Sequence, residues 1–476
     1  MKFLIQKNSN IPFYRQIYNQ IVQRIQSGLL NHNEKLPSLR IVAEELDISV
    51  LTIRKAYKCL EDAGYVSVKP GKGVFVKKKS TLQNKKEDQS NWQHSLGVNV
   101  VRSQYLINRH KGKYDFSKAV VYPKLLPNLF LAEEMQKVFR QNDSILSTYG
   151  PIEGDKELRF EIANHLFEYQ KIKVNGDHII ITSGVQQGID LVAQALLKPG
   201  DTVIVESPCY GGALDVFSNK GINIVPIEMD KHGIRSDLIE EECIKNRPTL
   251  VYVNPSYQNP TGISMSIQRR KELVELAEHY QFFILEDDSF SDIYFNNHVN
   301  HLPIKYFDQH DHVIYIKGFS KTLAPGIRVA SMVAKGPVFD WLYAVKASMD
   351  VGSPLLIQKA ILPFLRTDRM KKHVEKLRTA LQIRRDISVD IFSTISDKVQ
   401  FEIPKGGFNL WLTLQNQFDS FSLLEKANAE DISFLPGSAC FVNDQKLNTF
   451  RISFSLISDS DLTVGLTKLC RIIKSI

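Results

Sequence analysis

Cysteine is scarce in this chain, with five in 476 residues (Cys59, Cys209, Cys243, Cys440 and Cys470) and no two in a C-x-x-C pair. That argues against a disulfide framework and a structural zinc site, and fits a reducing cytosol. Long apolar runs are absent. None reaches the ~18 residues of a membrane helix, so no membrane span is expected. At the N-terminus only Phe3, Leu4 and Ile5 follow Lys2 before polar residues begin, too little for a signal peptide. No internal repeat or long low-complexity tract is found. Acidic residues are sparse at one end. Residues 1–86 hold 16 Lys and Arg against 6 Asp and Glu, a net of +10, while the whole chain carries +8, which leaves −2 for the remainder. Basic charge confined to one end suggests a polyanion-binding module attached to a neutral body.

Hydrophobic content of 43% and charged content of 24% are those of an ordinary globular protein, and the length suggests two or three domains. In the basic segment, Pro12 precedes helically spaced Tyr14, Ile17, Ile21 and Ile25, closed by Gly28. A second helix opens at Pro37-Ser38 with Leu39, Val42, Ala43 and Leu46 on one face. Ser49 can cap a third, whose inner face is Ile53, Ala56, Tyr57 and Leu60. Then come Tyr65 to Val68, the turn Lys69-Pro70-Gly71-Lys72-Gly73, and Val74 to Val76, a hairpin with lysines at its tip. The layout is that of a winged helix-turn-helix.

Leu36-Pro37-Ser38-Leu39-Arg40, Ala56-Tyr57 and Gly71-Lys72-Gly73-Val74-Phe75-Val76 resemble the DNA-binding domain of GntR regulators, over nearly all of residues 8–79. The resemblance implies that Ser38, Arg40, the third helix around Thr52, Arg54 and Lys55, and the wing at Lys69, Gly71 and Lys72 touch double-stranded DNA. Many GntR sequences have arginine where this chain has Val50, and a valine cannot make a bidentate guanine contact. The expected division is a winged head at 1–79, a polar linker at 80–113 and a body at 114–476.

In the body, apolar strand candidates alternate with helical stretches: 178–182, 202–206, 222–226, 250–254, 282–287 and 313–317, with helices at 185–197 and 267–279. That predicts an α/β body with a mostly parallel sheet covered by helices. The segment Val313 to Arg328 delivers Ser320 and Lys321 into a loop and returns Arg328 seven positions later. A lysine amine beside a hydroxyl and a guanidinium suits an aldehyde cofactor that carries a phosphate.

Four further pieces fall at strand ends, where open α/β sheets bind ligands. Thr182-Ser183-Gly184-Val185 joins a strand to a helix and offers an anion site. Tyr210, in Pro208-Cys209-Tyr210-Gly211-Gly212, can stack on a planar ring or belong to the core. Asn254 to Gly262 presents Asn259 as a donor. Leu285-Glu286-Asp287-Asp288 ends a strand in carboxylates, for a pyridine nitrogen, a helix cap or a metal. No His or Cys cluster supports the metal.

Together these resemble the fold-type I aminotransferases, which use pyridoxal phosphate, over about residues 114–476. The resemblance implies that Lys321 condenses with the cofactor aldehyde. Asp287 would hold the pyridine nitrogen and Asn259 the ring hydroxyl. Tyr210 would stack on the ring, and Ser183, Gly184, Val185, Ser320 and Arg328 would hold the phosphate. Tyr149 would reach the phosphate of a neighbouring subunit, and Arg451, in Phe450-Arg451-Ile452-Ser453, would clamp a substrate carboxylate. Where the family has a tyrosine for the ring hydroxyl this chain has Ser289 and Phe290, and Gly318 stands where a serine often helps bind phosphate. Cofactor binding is expected to survive these departures better than transamination.

A GntR-type head, a linker and an aminotransferase-like body in this order resemble the MocR subfamily of bacterial regulators. That implies a cytoplasmic homodimer that binds two DNA half-sites and senses an amino compound or the vitamer itself. The alternatives are a working aminotransferase with a vestigial head and a plain repressor whose body only dimerises. The basic head opposes the first as a complete account, and the set Lys321, Asp287, Asn259 and Arg328 opposes the second.

Overall fold

The structure is a computed structural model and describes residues 12–26, 34–46, 48–62, 64–69, 73–77, 112–295, 302–415, 418–442 and 447–476. The chain divides into two compact units, residues 1–97 and 98–476. Most of the linker expected at 80–113 lies outside the described residues, as do Pro70, Gly71 and Lys72 of the wing.

In the first unit, α1 (Phe13–Gln26), α2 (Leu39–Leu46) and α3 (Val50–Asp62) precede a hairpin of β1 (Val66–Lys69) and β2 (Gly73–Val76). Helix α1 starts directly after Pro12, whose carbonyl accepts from the Arg15 and Gln16 amides. The side chains of Ser38 and Ser49 cap their helices, accepting from the amides of Ile41 at 3.3 Å and Thr52 at 3.2 Å. Ile17, Ile21, Val42, Ile53, Ala56 and Leu60 form the core with Val66 and Val76 of the hairpin. The Tyr57 hydroxyl donates to the Pro37 carbonyl at 2.9 Å, tying α3 to the entry of α2. The hairpin pairs one residue further out on each side than the sequence suggests, with Lys69 opposite Gly73. Gly73 has φ of +117°, and a Cβ there would come within 2.7 Å of the Lys35 side chain. The positive φ favours glycine here, and the Lys35 side chain packs into the space that its missing Cβ leaves.

The second unit begins with the short strand β3 (Tyr114–Asp115). It is built on an eight-stranded sheet of β4 (Ile179–Thr182), β5 (Thr202–Ser207), β6 (Asn223–Asp230), β7 (Gly233–Ile234), β8 (Leu250–Val253), β9 (Phe283–Asp288), β10 (Val313–Gly318) and β11 (Ala330–Val333). The order is β4-β11-β10-β9-β8-β5-β6-β7. The pairs from β10 through β9, β8 and β5 to β6 are parallel. Strand β11 runs antiparallel to both β10 and β4, and β7 antiparallel to β6. The predicted α/β architecture is thus present, with antiparallel strands near its margins.

Strands β4, β8 and β10 are buried along their whole length, because helices cover both faces. A second, antiparallel sheet orders β12 (Val399–Phe401), β13 (Asn409–Leu414), β16 (Thr449–Ser453) and β15 (Leu435–Pro436), while β14 (Ile432–Ser433) pairs with β3. Among the described residues, no helix is long and apolar enough to cross a membrane.

Candidate functional site

Strands β4, β5, β8, β9 and β10 all end at one edge of the large sheet, because the two antiparallel steps through β11 restore the direction of β4. Four of the five segments singled out in the sequence run on from these ends, and the fifth, Leu285 to Asp288, forms the end of β9 itself. The structure therefore gathers Ser183 to Val185, Tyr210, Asn259, Asp287 and Ser320 to Arg328 into one region. Two adjoining cavities, of about 260 and 170 Å3, open there, and Tyr210, Asn259 and Lys321 line both.

Asp287 owes its position to strand alternation. Leu285 and Asp287 face one side of β9, and Glu286 and Asp288 the other. Burial pushes the Asp287 carboxyl up to about 6, against the Ser289 and Tyr252 hydroxyls, which favour the charged form. These donate at 2.6 and 2.9 Å. Ser289 was noted in the sequence only as a departure from the family's tyrosine, and Tyr252 was not singled out. Tyr252 was legible in principle, since it pairs with Leu285 and alternation puts it on the Asp287 face. On the reverse face Lys317 is buried against Asp288 at 3.3 Å and Asp292 at 2.9 Å.

Lys321 lies in the turn after β10, and its ammonium donates to the Ala119 carbonyl at 2.6 Å. Burial lowers its pKa to about 8, helped by Arg451 and Arg328 and opposed by Asp287. A weakly basic amine carries more of the neutral form that attacks an aldehyde. The segment around Ala119 was not recognised in the sequence, for it has no motif. It enters the site because β3 pairs with β14 and carries residues 117–120 to the cavity.

The anion cradle sits at the head of the helix Val185–Leu196, which Gly184 caps with φ of +90°. A Cβ on Gly184 would lie 2.5 Å from the Arg328 guanidinium, so the glycine leaves room for that side chain. Arg328, itself at φ of +51°, donates to the Ser183 carbonyl at 2.8 Å. The Ser183 amide is engaged by the Gln187 side chain at 2.6 Å and the Gly184 amide by the Thr182 carbonyl at 2.8 Å, which leaves the Ser183 hydroxyl and the Val185 amide for an anion. Ser320 lines the same cavity as Val185 and Arg328. Gly318 also has a steric cause, since a Cβ there would meet Val185 Cγ2 at 2.8 Å. A serine in its place would need a smaller residue at 185.

Asn254 fixes the Asn259 turn. Its Oδ1 accepts from the Asn259 amide at 3.0 Å, and its Nδ2 donates to the Asp287 carbonyl at 2.6 Å. Glu206 sits beneath, accepting from the Asn254 amide and the Gln258 side chain, and burial pushes its carboxyl up to about 8. The Tyr210 hydroxyl donates to Gln186 at 3.1 Å and rises to about 12 through burial. Phe290 packs edge-on against Phe408, their centroids 5.3 Å apart. Tyr149 is 83% exposed and lines neither cavity. Arg451, on β16, lines the larger cavity, where it contacts Asn259 and the Ser117 carbonyl.

These residues suit pyridoxal phosphate. The amine, the carboxylate and the glycine-relieved anion cradle with its guanidinium open on one cavity, as an aldehyde, a pyridine nitrogen and a phosphate require. The metal alternative for the β9 carboxylates has no support. Among the described residues, no group of three or more His, Cys, Asp or Glu could hold a metal ion.

In the first unit, Arg40, Arg54, Lys55 and Lys69 are exposed, as is Ser38. Thr52 is half-buried, its hydroxyl 2.9 Å from that of Ser49. The Lys55 ammonium rests 4.2 Å from the Tyr14 ring centroid and that of Lys69 4.8 Å from Phe75.

Residues 118–469 match the family of class I and II aminotransferases, and residues 13–76 match the gntR family of bacterial regulatory proteins. The chain is 29% identical to YdfD of Bacillus subtilis, an uncharacterized HTH-type transcriptional regulator, across 99% of this chain and 98% of that one. It is 28% identical to the HTH-type transcriptional regulator NorG of Staphylococcus aureus, across 93% of this chain and all of NorG. Among solved structures, LysN of Thermus thermophilus, an alpha-aminoadipate aminotransferase complexed with N-(5'-phosphopyridoxyl)-L-leucine, superposes with a TM-score of 0.75. It is 28% identical and covers 81% of this chain and 98% of its own.

Proposed function

The chain belongs to the class I and II aminotransferase family and carries a gntR-type DNA-binding head, as in MocR regulators, and from that premise we propose how this pyridoxal-phosphate-dependent transcriptional regulator works. It acts as a cytoplasmic homodimer whose two heads bind paired half-sites on DNA. Its body binds an amino compound or the vitamer, and the ligand state of the body sets the affinity of the heads. One observation carries this reading: a basic winged head and a cofactor-shaped cavity lie on the same chain.

When bound, the cofactor supplies an aldehyde for amines and an electron-withdrawing ring. Lys321 would hold the aldehyde end of the cofactor. Asp287, kept in place by Tyr252 and Ser289, binds the ring nitrogen and holds its proton. Arg328, Ser320, the Ser183 hydroxyl and the Val185 amide would grip the phosphate, with Gly184 leaving room for the guanidinium. Asn259 meets the ring hydroxyl, Tyr210 covers the ring, and Arg451 takes the carboxylate of an amino ligand. Tyr149, exposed on its own chain, is free to serve a neighbouring subunit. In the head, Arg40, Arg54, Lys55 and the wing lysines contact the duplex, backbone phosphates setting the register and base edges the sequence.

A working aminotransferase is the second reading, favoured by the complete set Lys321, Asp287 and Arg451. Sequencing the DNA fragments that the purified holoprotein retains, with and without candidate amines, separates the two. A regulator enriches one sequence and changes its retention with a ligand. An enzyme with a vestigial head enriches none.

A further inference from the structure

The first turn of α3 presents an apolar surface where a base-reading helix would be expected to present polar groups. Its inner face, Ile53, Ala56, Tyr57 and Leu60, is fully committed to the core. The opposite face carries Leu51, Arg54, Lys55 and Lys58, spaced three and four apart along the helix. Leu51 is 69% exposed and its neighbour Val50 37%.

The polar side chains of this turn and of the turns that follow it are largely engaged within the head. The Thr52 hydroxyl is bonded to Ser49, the Lys55 ammonium rests on the Tyr14 ring, and Lys58 pairs with Glu61 at 3.0 Å. Among the described residues, Arg54 makes no hydrogen bond or ion pair. The end of the helix closest to a bound duplex therefore offers one available guanidinium beside two apolar side chains.

We propose that Leu51 and Val50 read thymine through its 5-methyl group, so that this protein's half-sites carry thymine where the first turn of α3 enters the major groove. The inference rests on the DNA-binding reading of the head and deepens it. Three features select this occupant. The major-groove edge of a base pair has one apolar feature, the thymine methyl, and the other positions are hydrogen-bond donors and acceptors that neither side chain can satisfy. The surrounding surface is strongly basic, +10 over residues 1–86, which draws a polyanion. A protein partner covering Leu51 would have to bring a carboxylate for Arg54, whereas every stretch of duplex supplies negative charge beside its base edges.

The test uses the full-length holoprotein and a selection from random duplexes, followed by titration of the selected half-site with thymine replaced by deoxyuridine at each position in turn. The replacement removes the methyl and leaves pairing intact. At one or two positions the wild-type protein should lose affinity about fourfold per methyl, the worth of one methyl group taken out of water. Leu51→Ala should shrink the thymine–deoxyuridine difference, and the double variant Val50→Ala/Leu51→Ala should bind the two duplexes equally, whereas Leu51→Met should keep the difference. Both side chains are exposed, and an unchanged melting curve checks that the head remains folded. Enriched sites whose binding ignores the methyl, or a deoxyuridine penalty undiminished in Leu51→Ala, would overturn the assignment while leaving the regulator reading in place. Failure of the wild-type protein to enrich any sequence would defeat both.

Discussion

Arg451 Nη1 donates to Asn259 Oδ1 at 2.8 Å, across 192 positions of sequence. The side chain assigned to a ligand's carboxylate and the one assigned to the cofactor's ring hydroxyl are thus direct partners. An arriving carboxylate engages a guanidinium that already orients Asn259, so ligand binding and the ring environment are coupled. Truncating Arg451 leaves the Lys321, Asp287 and Arg328 contacts intact. Arg451→Ala should therefore retain the cofactor but weaken a carboxylate-bearing amino ligand by about 2–5 kcal/mol, as expected for a buried charge contact. Its bound cofactor should also absorb at a shifted wavelength. Spectral titration measures both effects, and loss of cofactor from the variant would contradict the assignment. If the effector is the vitamer alone, amino acid titration of the wild type should produce no change.

Lys321 should be the residue that captures the cofactor. Borohydride reduction of the holoprotein followed by peptide mapping is expected to place the label on the Lys321 peptide, and on no other lysine, including the nearby Lys317.

The capture should also report the lowered basicity of this amine. Only the unprotonated form attacks, and its midpoint is near 8 in place of the usual 10.5. The rate of cofactor uptake by apoprotein should rise with pH up to about 8 and then level off. Because Arg451 helps hold the pKa down, Arg451→Ala should move that midpoint upward. A stopped-flow series across pH gives both curves. A rise continuing to pH 10 in the wild type would contradict the burial argument.

Transamination should be slow or stop at a half-reaction. Phe290 is buried against Phe408 and has no hydroxyl for the ring. Multiple-turnover assays over several donor and keto-acid pairs should fall below the ordinary range of about 1–10³ per second. Rates within that range would favour the enzyme reading.

In the head, Lys69 and Arg54 should behave differently. Lys69→Ala removes a phosphate contact, so affinity should fall alike for all sequences and the salt slope should drop by about 0.9. Arg54→Ala should cost roughly 1–3 kcal/mol at one base pair and relax preference there. Binding selections at two salt concentrations distinguish these outcomes.

Periodicity and spacing determined much of this protein. The apolar spacing of α1 to α3 marked the head, the apolar runs marked six strands of the large sheet, and Lys321, Asp287, Asn259 and Arg328 were singled out because each lies at or after a strand end in a distinctive short segment. Such features are local, so a sequence displays them. What depends on long-range pairing was hidden. Tyr252 on the Asp287 carboxylate, Ala119 on the Lys321 ammonium, and the steric exclusion of a side chain at 318 by Val185 all arise from contacts between elements. The bond between Arg451 and Asn259 is of the same kind, as is the contact of Lys55 with the Tyr14 ring of α1. Residue type and spacing state which chemistry a chain can perform. Which polar groups satisfy one another, and which are left for a ligand, is decided only when the tertiary fold brings distant segments within hydrogen-bonding distance.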